Sequence, residues 1–297
     1  MRVFVTGAAG FIGRAVVQEL LHNGHQVLGL ARSDANAEIL TKAGAEVHRG
    51  NLEDPESLKS GAHAADGVIH LAFIHDFSDF ARATKVDREA IEAMGEAMAG
   101  TGKPLVIASG TLGVSNGKLA TEDTEPARDD PMSIRYASAD LVYALSKSKQ
   151  VRGSVVRLSP VVHGVGDWGF VPMLIGMARK NGYAAYVDEG SARWPAVHKL
   201  DAAVLFRLAL EKGTPGSTYH AVAEQGIPYK DIATVIGKHL QLPVESKPLS
   251  EATAAMGMMA HLTSMDAPTS SEKTQRELGW KPSQIGLLAD MEANYFS

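Results

Sequence analysis

Apolar positions in the first part of the chain switch repeatedly between two periods. Val3-Phe4-Val5, Gln26 to Leu30, Ala45 to His48, Val68 to Ala72 and Leu105 to Ala108 are short, mostly apolar runs of strand length. Arg14 to Asn23 carries Ala15, Val16, Leu20 and Leu21 on one side of a helix, which Asn23-Gly24 ends. A short helix starts at Pro55, and Thr84 to Ala99 reads as another. Strands alternating with helices predict an α/β fold with a doubly wound parallel sheet.

The join between the first strand and the first helix carries the chemistry. Glycines fall at positions 7, 10 and 13 of Thr6-Gly7-Ala8-Ala9-Gly10-Phe11-Ile12-Gly13. Gly7 suits a backbone turn that other residues resist. Gly10 leaves the backbone bare for a pyrophosphate, and Gly13 lets the helix pack close to the strand. The N–H groups of Ala9, Phe11 and Ile12 and the helix dipole then face the phosphates. Strand before and helix after are the context that a dinucleotide fingerprint needs. At the end of the second strand, where a ribose would lie, stands Ala31-Arg32-Ser33. Arg32 can clamp a 2′-phosphate and Ser33 can donate to it, which favours NADP, while Asp34 is close enough to keep NAD in play. Leu71, Ala72 and Phe73 end the fourth strand and are expected along the cofactor.

Length and charge narrow the partners. A chain of 297 residues makes one large or two modest domains. A formal charge of −5 argues against nucleic acid. No apolar run approaches a membrane span, and no signal peptide precedes the first strand, so a cytoplasmic location is expected. The absence of cysteine removes disulfides and thiolate chemistry. No His/Asp/Glu spacing suggests a metal.

The residues resemble the extended short-chain dehydrogenase/reductases. The matches are Thr6 to Gly13, Gly50-Asn51-Leu52-Glu53-Asp54, Val68-Ile69-His70-Leu71-Ala72, Val162-His163-Gly164, Val197-His198-Lys199-Leu200-Asp201 and Leu278-Gly279-Trp280-Lys281-Pro282. The resemblance covers nearly the whole chain. It implies a Rossmann domain over 1–165 and a smaller, mainly substrate-binding region over 166–297, with some segments returning to the sheet. The sheet is expected to run on through Ser154 to Ser159, with returns around Val197 and Tyr219. Asn51 and Leu52 would meet the adenine, Asn51 replacing the family's usual Asp. Ser109, Pro160 and His163 complete the expected cofactor contacts. Homodimers through helices like those at 84–99 and 133–149 are common in the family.

In that family a Ser or Thr holds the substrate carbonyl, a Tyr protonates it, and a Lys one helical turn later lowers the Tyr pKa. Thr111 takes the Ser/Thr position. Tyr143-Ala144-Leu145-Ser146-Lys147 is a literal Y-x-x-x-K, yet Tyr136 falls where the family's Tyr usually stands, directly after an acidic loop. On the Tyr136 alignment the Lys has become Asp140. Tyr136 is the favoured donor; Tyr143 with Lys147 is the other candidate, lying about 10 Å further along the helix. Trp168, Arg193, Trp194 and His198 are expected to line the substrate pocket. The combined reading is an NADP-dependent oxidoreductase reducing a small-molecule aldehyde or ketone. A nucleotide-sugar epimerase or dehydratase is the enzyme alternative, for which Arg157, Arg179 and Arg193 could furnish a basic pocket. A dinucleotide sensor without chemistry is the alternative of another class.

Overall fold

The computed structural model describes residues 1–76, 79–115, 117–128 and 131–296. Its first half alternates as the apolar pattern requires: β1 (Arg2–Thr6), α1 (Phe11–His22), β2 (Gln26–Ala31), α2 (Asp34–Lys42), β3 (Glu46–Arg49), α3 (Pro55–His63), β4 (Gly67–His70), α4 (Phe80–Ala97) and β5 (Pro104–Gly110). A turn of 3₁₀ helix over Pro131–Tyr136 leads into α5 (Ala137–Ser148) and β6 (Arg152–Leu158). There follow β7 (Val161–His163), α6 (Phe170–Asn181), β8 (Ala184–Val187), β9 (Arg193–His198), α7 (Lys199–Lys212), β10 (Ser217–Ala221) and β11 (Glu224–Pro228). The chain closes with α8 (Tyr229–Leu240), β12 (Val244–Lys247), α9 (Leu249–Met256), α10 (Met258–Ser264), α11 (Glu272–Leu278) and α12 (Leu287–Asn294).

Seven parallel strands form the central sheet in the order β10-β6-β5-β4-β1-β2-β3. Because β1 stands between β4 and β2, the chain reverses direction across the sheet there. Ligands of such sheets bind beyond the carboxyl ends of the strands at that switch point. One face packs Val3, Val5, Val106 and Val156 on α1 and α7 through Val16, Leu20 and Phe206. The other packs Phe4, Val68, Ile107 and Val155 on α3, α4 and α5 through Leu58, Met94 and Val142. Strands buried on both faces read as unbroken apolar runs, which is why they were legible.

The later strands divide differently. Tyr219 lies in β10, which pairs with β6 as expected. Val197 lies in β9, which joins β7 and β11 in a separate three-stranded sheet and does not return to the central one. A second apolar core, with Trp194, Tyr229, Ile232 and Leu287, fills the space under α6, α8 and α12. Among the described residues no helix is long and apolar enough to cross a membrane.

Candidate active site

Two glycines of the N-terminal turn are fixed by the protein itself. Gly7 has φ +67°, and a Cβ there would stand 2.7 Å from the Ala72 nitrogen. A Cβ on Gly13 would meet the Gly7 carbonyl oxygen at 2.0 Å. Gly10 is different: its Cβ would meet only the Gly7 oxygen, at 3.1 Å, and otherwise point into open space. Gly10 is also the N-cap of α1, with no side chain capping it and no acidic residue in the first turn. Uncapped N–H groups behind a bare glycine fit a phosphate. The residues present therefore fit a dinucleotide.

At the adenosine end, Arg32 is exposed and makes no ion pair among the described residues. The Ser33 hydroxyl accepts from the Asn36 N–H at 3.3 Å, capping α2, and keeps its hydrogen for a further acceptor. Asp34 is held by Arg49 at 2.6 Å. The Asn51 carbonyl accepts from the Glu53 N–H at 2.7 Å, leaving its amide hydrogens to donate.

At the carboxyl end of β5 stand two hydroxyls without partners among the described residues. Ser109 and Thr111 are buried, and among the described residues neither hydroxyl has a hydrogen-bond partner. The Thr111 N–H donates to the Leu158 carbonyl at 2.9 Å, which fixes the residue between β5 and β6. Tyr136 reaches the same turn from the start of α5, its hydroxyl donating to the Leu112 carbonyl at 2.7 Å. Thr111 and Tyr136 are thus brought together.

A buried polar chain runs beneath this end. The Thr6 hydroxyl accepts from the Leu71 and Ala72 N–H groups, each at 3.2 Å, so its hydrogen goes to His70 Nδ1 at 2.7 Å. His70 Nε2 then carries the ring hydrogen and donates to Asp87 at 3.3 Å. The other Asp87 oxygen accepts from Arg135 and from Ser138. Arg135 also donates to the Ala108 carbonyl at 3.0 Å, and its guanidinium lies 4.4 Å over the Phe73 ring. Burial pushes the Asp87 carboxyl up, but Arg135, His70 and Ser138 outweigh it and hold it below its ordinary value. Phe73 meets His75 edge-on at 5.5 Å, and His75 meets Trp168 edge-on at 5.6 Å, so a loop after β4 touches a loop after β7. Burial, and then the Arg135 charge, push the His75 imidazole below its usual range.

A sequence model of the NAD dependent epimerase/dehydratase family matches residues 3–222. The chain belongs to that family. It is 50% identical over 298 residues to an uncharacterised protein of Schizosaccharomyces pombe, covering 100% of both chains. It is 24% identical to the 4-hydroxy-2-methyl-3-oxo-4-farnesyl-3,4-dihydroquinoline-1-oxide ketoreductase of Stigmatella aurantiaca, over 94% of this chain and 92% of that one. The solved dTDP-glucose 4,6-dehydratase DesIV of Streptomyces venezuelae superposes with a TM-score of 0.78 at 19% identity, covering 99% of this chain and 95% of that one. The fold is therefore that of the epimerase/dehydratase enzymes, an oxidoreductase superfamily built on nicotinamide dinucleotides.

Several residues of the expected catalytic group are engaged elsewhere in the structure. Tyr143 pairs with the Thr218 hydroxyl on β10. Thr218 is in register with Val155, three residues before the Leu158 that holds Thr111, roughly 10 Å down the strand. Lys147 is exposed in the last turn of α5, next to Ser146, which bonds Gly153 near the start of β6. The literal Y-x-x-x-K thus runs from Tyr136 toward the amino ends of the strands, because α5 runs antiparallel to them. Asp140 faces outward in a two-pronged pair with Arg128 at 2.7 and 3.0 Å.

Expectations for the substrate side divide too. Trp168 is 59% exposed beside His75, whereas Trp194 is fully buried, donates to the Leu262 carbonyl at 3.1 Å and packs between Phe170 and Tyr229. Trp194 is a core residue, not a pocket wall. Arg193 is held by Asp266 through two bonds of 2.9 and 2.8 Å. His163, three residues beyond Pro160, bonds Asp290 at 2.7 Å, tying α12 to β7. His198 caps α7 by accepting from the Leu200 N–H at 3.2 Å, and its ring lies 5.3 Å from that of His163. Burial, then the neighbouring His163, push the His198 imidazole down. Arg157 is buried with one nitrogen donating to the Thr124 carbonyl at 3.2 Å, and Arg179 is exposed on α6. Among the described residues no cluster of three acidic or imidazole groups could hold a metal.

Proposed function

We propose that the chain is an NADPH-dependent carbonyl reductase acting on a small-molecule aldehyde or ketone. The observation that carries this reading is the Thr111 hydroxyl, fully buried and without a partner, one residue from the carbonyl that Tyr136 bonds. A buried hydroxyl left unpaired costs free energy, and a substrate oxygen would satisfy it. A nicotinamide bound at this end would supply the hydride. The carbonyl carbon accepts it, and the π pair of the C=O bond moves onto the oxygen. Thr111 donates a hydrogen bond to that oxygen as its charge grows. Tyr136 turns its hydroxyl from the Leu112 carbonyl to the same oxygen, releases its proton there and regains one from water. Arg32, exposed and unpaired beside the Ser33 hydroxyl, supports the phosphorylated form of the cofactor.

The ketoreductase relative agrees with a carbonyl substrate. An epimerase or dehydratase would need a basic pocket for a diphosphate, and Arg193 is already matched by Asp266. The experiment is NADPH consumption over a panel of aldehydes and ketones, with UDP- and dTDP-sugars beside it. Turnover of a carbonyl compound, with Tyr136→Phe lowering the turnover number by about 10²–10⁴ and Tyr143→Phe sparing it, is expected. Product from a nucleotide sugar alone would overturn the reading in favour of the epimerase class. Tight NADPH binding with no turnover of any compound would leave a sensor.

A further inference from the structure

Helices α1 and α7 lie side by side on one face of the sheet and both begin at its carboxyl end. Lys199 is the first residue of α7. A helix start carries partial positive charge, so a lysine there is misplaced unless an anion joins it. Its Nζ stands 4.8 Å over the ring of Phe11, the first residue of α1, and donates to the Val165 carbonyl. Its stem lies along Gly164, where a Cβ would meet the Lys199 Cδ and Cε at 3.2 Å. The missing side chain at Gly164 therefore lets the amine lie over Phe11 at the start of α1.

Charges around it do not cancel. Burial lowers the Lys199 pKa first, then Arg14, one turn into α1, lowers it further; Asp290 and Asp167 act the other way from a distance. Neither Lys199 nor Arg14 has a carboxylate within ion-pair reach among the described residues. Asp201, in the first turn of α7, already accepts from the Ser283 and Gln284 N–H groups, each at 3.0 Å. Asp290 is bonded to His163, and Asp167 to the Gly169 N–H at 2.7 Å and the Tyr295 hydroxyl at 2.8 Å. Two helix starts and two unmatched cations thus lie together, with Lys199 over Phe11, the residue after Gly10.

We infer that Lys199 is a ligand of the cofactor's diphosphate, reaching it from the C-terminal part of the chain and drawing the Gly164–Gly169 loop over the bound dinucleotide through its bond to Val165. The inference rests on the dinucleotide site but not on NADP preference or on the carbonyl substrate. Its action is on a group that NADH and NADPH share, whereas Arg32 would act on one that only NADPH has.

The test is fluorescence titration of NADPH and NADH into the parent protein, Lys199→Met and Lys199→Arg. Losing a charge-assisted contact should weaken both dinucleotides by the same factor, about 10- to 100-fold at low salt. Lys199→Arg should recover most of the affinity. Adenosine 2′-phosphate, which has no diphosphate, should bind parent and variant alike. Melting of the unliganded proteins checks folding, and a loss of affinity restored by arginine excludes a folding defect. Unchanged affinity of folded Lys199→Met for both dinucleotides overturns the inference. A loss confined to NADPH would also overturn it, moving Lys199 to the 2′-phosphate. Equal parent affinities for NADH and NADPH would count against the NADP reading alone.

Discussion

Gly10 and Gly13 belong to one turn, yet their replacement should fail in opposite ways. A side chain on Gly13 would drive into the Gly7 carbonyl, 2.0 Å from its Cβ, so the turn must open and the packing of α1 on β1 with it. A side chain on Gly10 would enter the space in front of the uncapped α1 start. Gly10→Val should therefore melt within a few degrees of the parent protein while losing NADPH binding; Gly13→Val should be visibly destabilised. A folded Gly10→Val with parent affinity would show that no phosphate sits there. Arg32 allows a cleaner experiment, because it is exposed and unpaired and its removal disturbs no packing. Arg32→Ala should weaken NADPH by about one to two decades, the worth of a charge-assisted phosphate contact, and leave NADH unchanged. Both residues were legible in the sequence because their backbone or charge acts directly on the ligand.

The chain from β4 through α4 to the start of α5 was only half legible. On α4, Asp87 shares the buried stripe with Ala83, Ala90, Ile91 and Met94, so an acid interrupts an apolar helical period. His70 likewise ends a strand buried throughout. Two ionisable residues at core positions signal a polar pair, since buried charges need partners. Their third member, Arg135, stands 48 residues from Asp87, and no local period reports such a contact. The same limit explains Trp194 and Trp168. One lies on β9, a buried strand, and the other in the glycine-flanked loop after β7; composition alone makes them equivalent. Asp87→Ala should destabilise the protein by about 3–5 kcal/mol, because Arg135 is left half-buried against Phe73 without its carboxylate. Urea unfolding measures this. Asp87→Leu combined with Arg135→Met should recover much of the loss, and a single variant costing under about 1 kcal/mol would show the pair to be solvated after all.

At the scale of the molecule, the central sheet was legible through β6 because parallel strands are covered on both faces, whereas the smaller sheets were not. β11 and β12 are five and four residues long and mix polar with apolar positions, and β8, though apolar, is only four residues long, so period or length fails for each. The junction between the two parts is held by residues that no motif marks, His220 among them. It lies on β10, fully buried, with Nδ1–H donating to the Ser270 carbonyl at 2.8 Å and Nε2 turned toward Arg157 at 3.5 Å. Burial above all, opposed by the Ser270 bond and by Glu122 and aided by Arg157, pushes its pKa down to about 4. The unfolded chain would hold this imidazole near 6.5, so between those values the unfolded state binds the extra proton. Stability contributed by neutral His220 is complete above the unfolded value and is lost as pH falls toward the folded one. From pH 7 to pH 5 the loss from this group should be about 2 kcal/mol. Urea midpoints across that range should fall for the parent protein, and the slope should flatten in His220→Gln, whatever that variant's absolute stability. A parallel fall in both proteins would assign the acid sensitivity to groups other than His220.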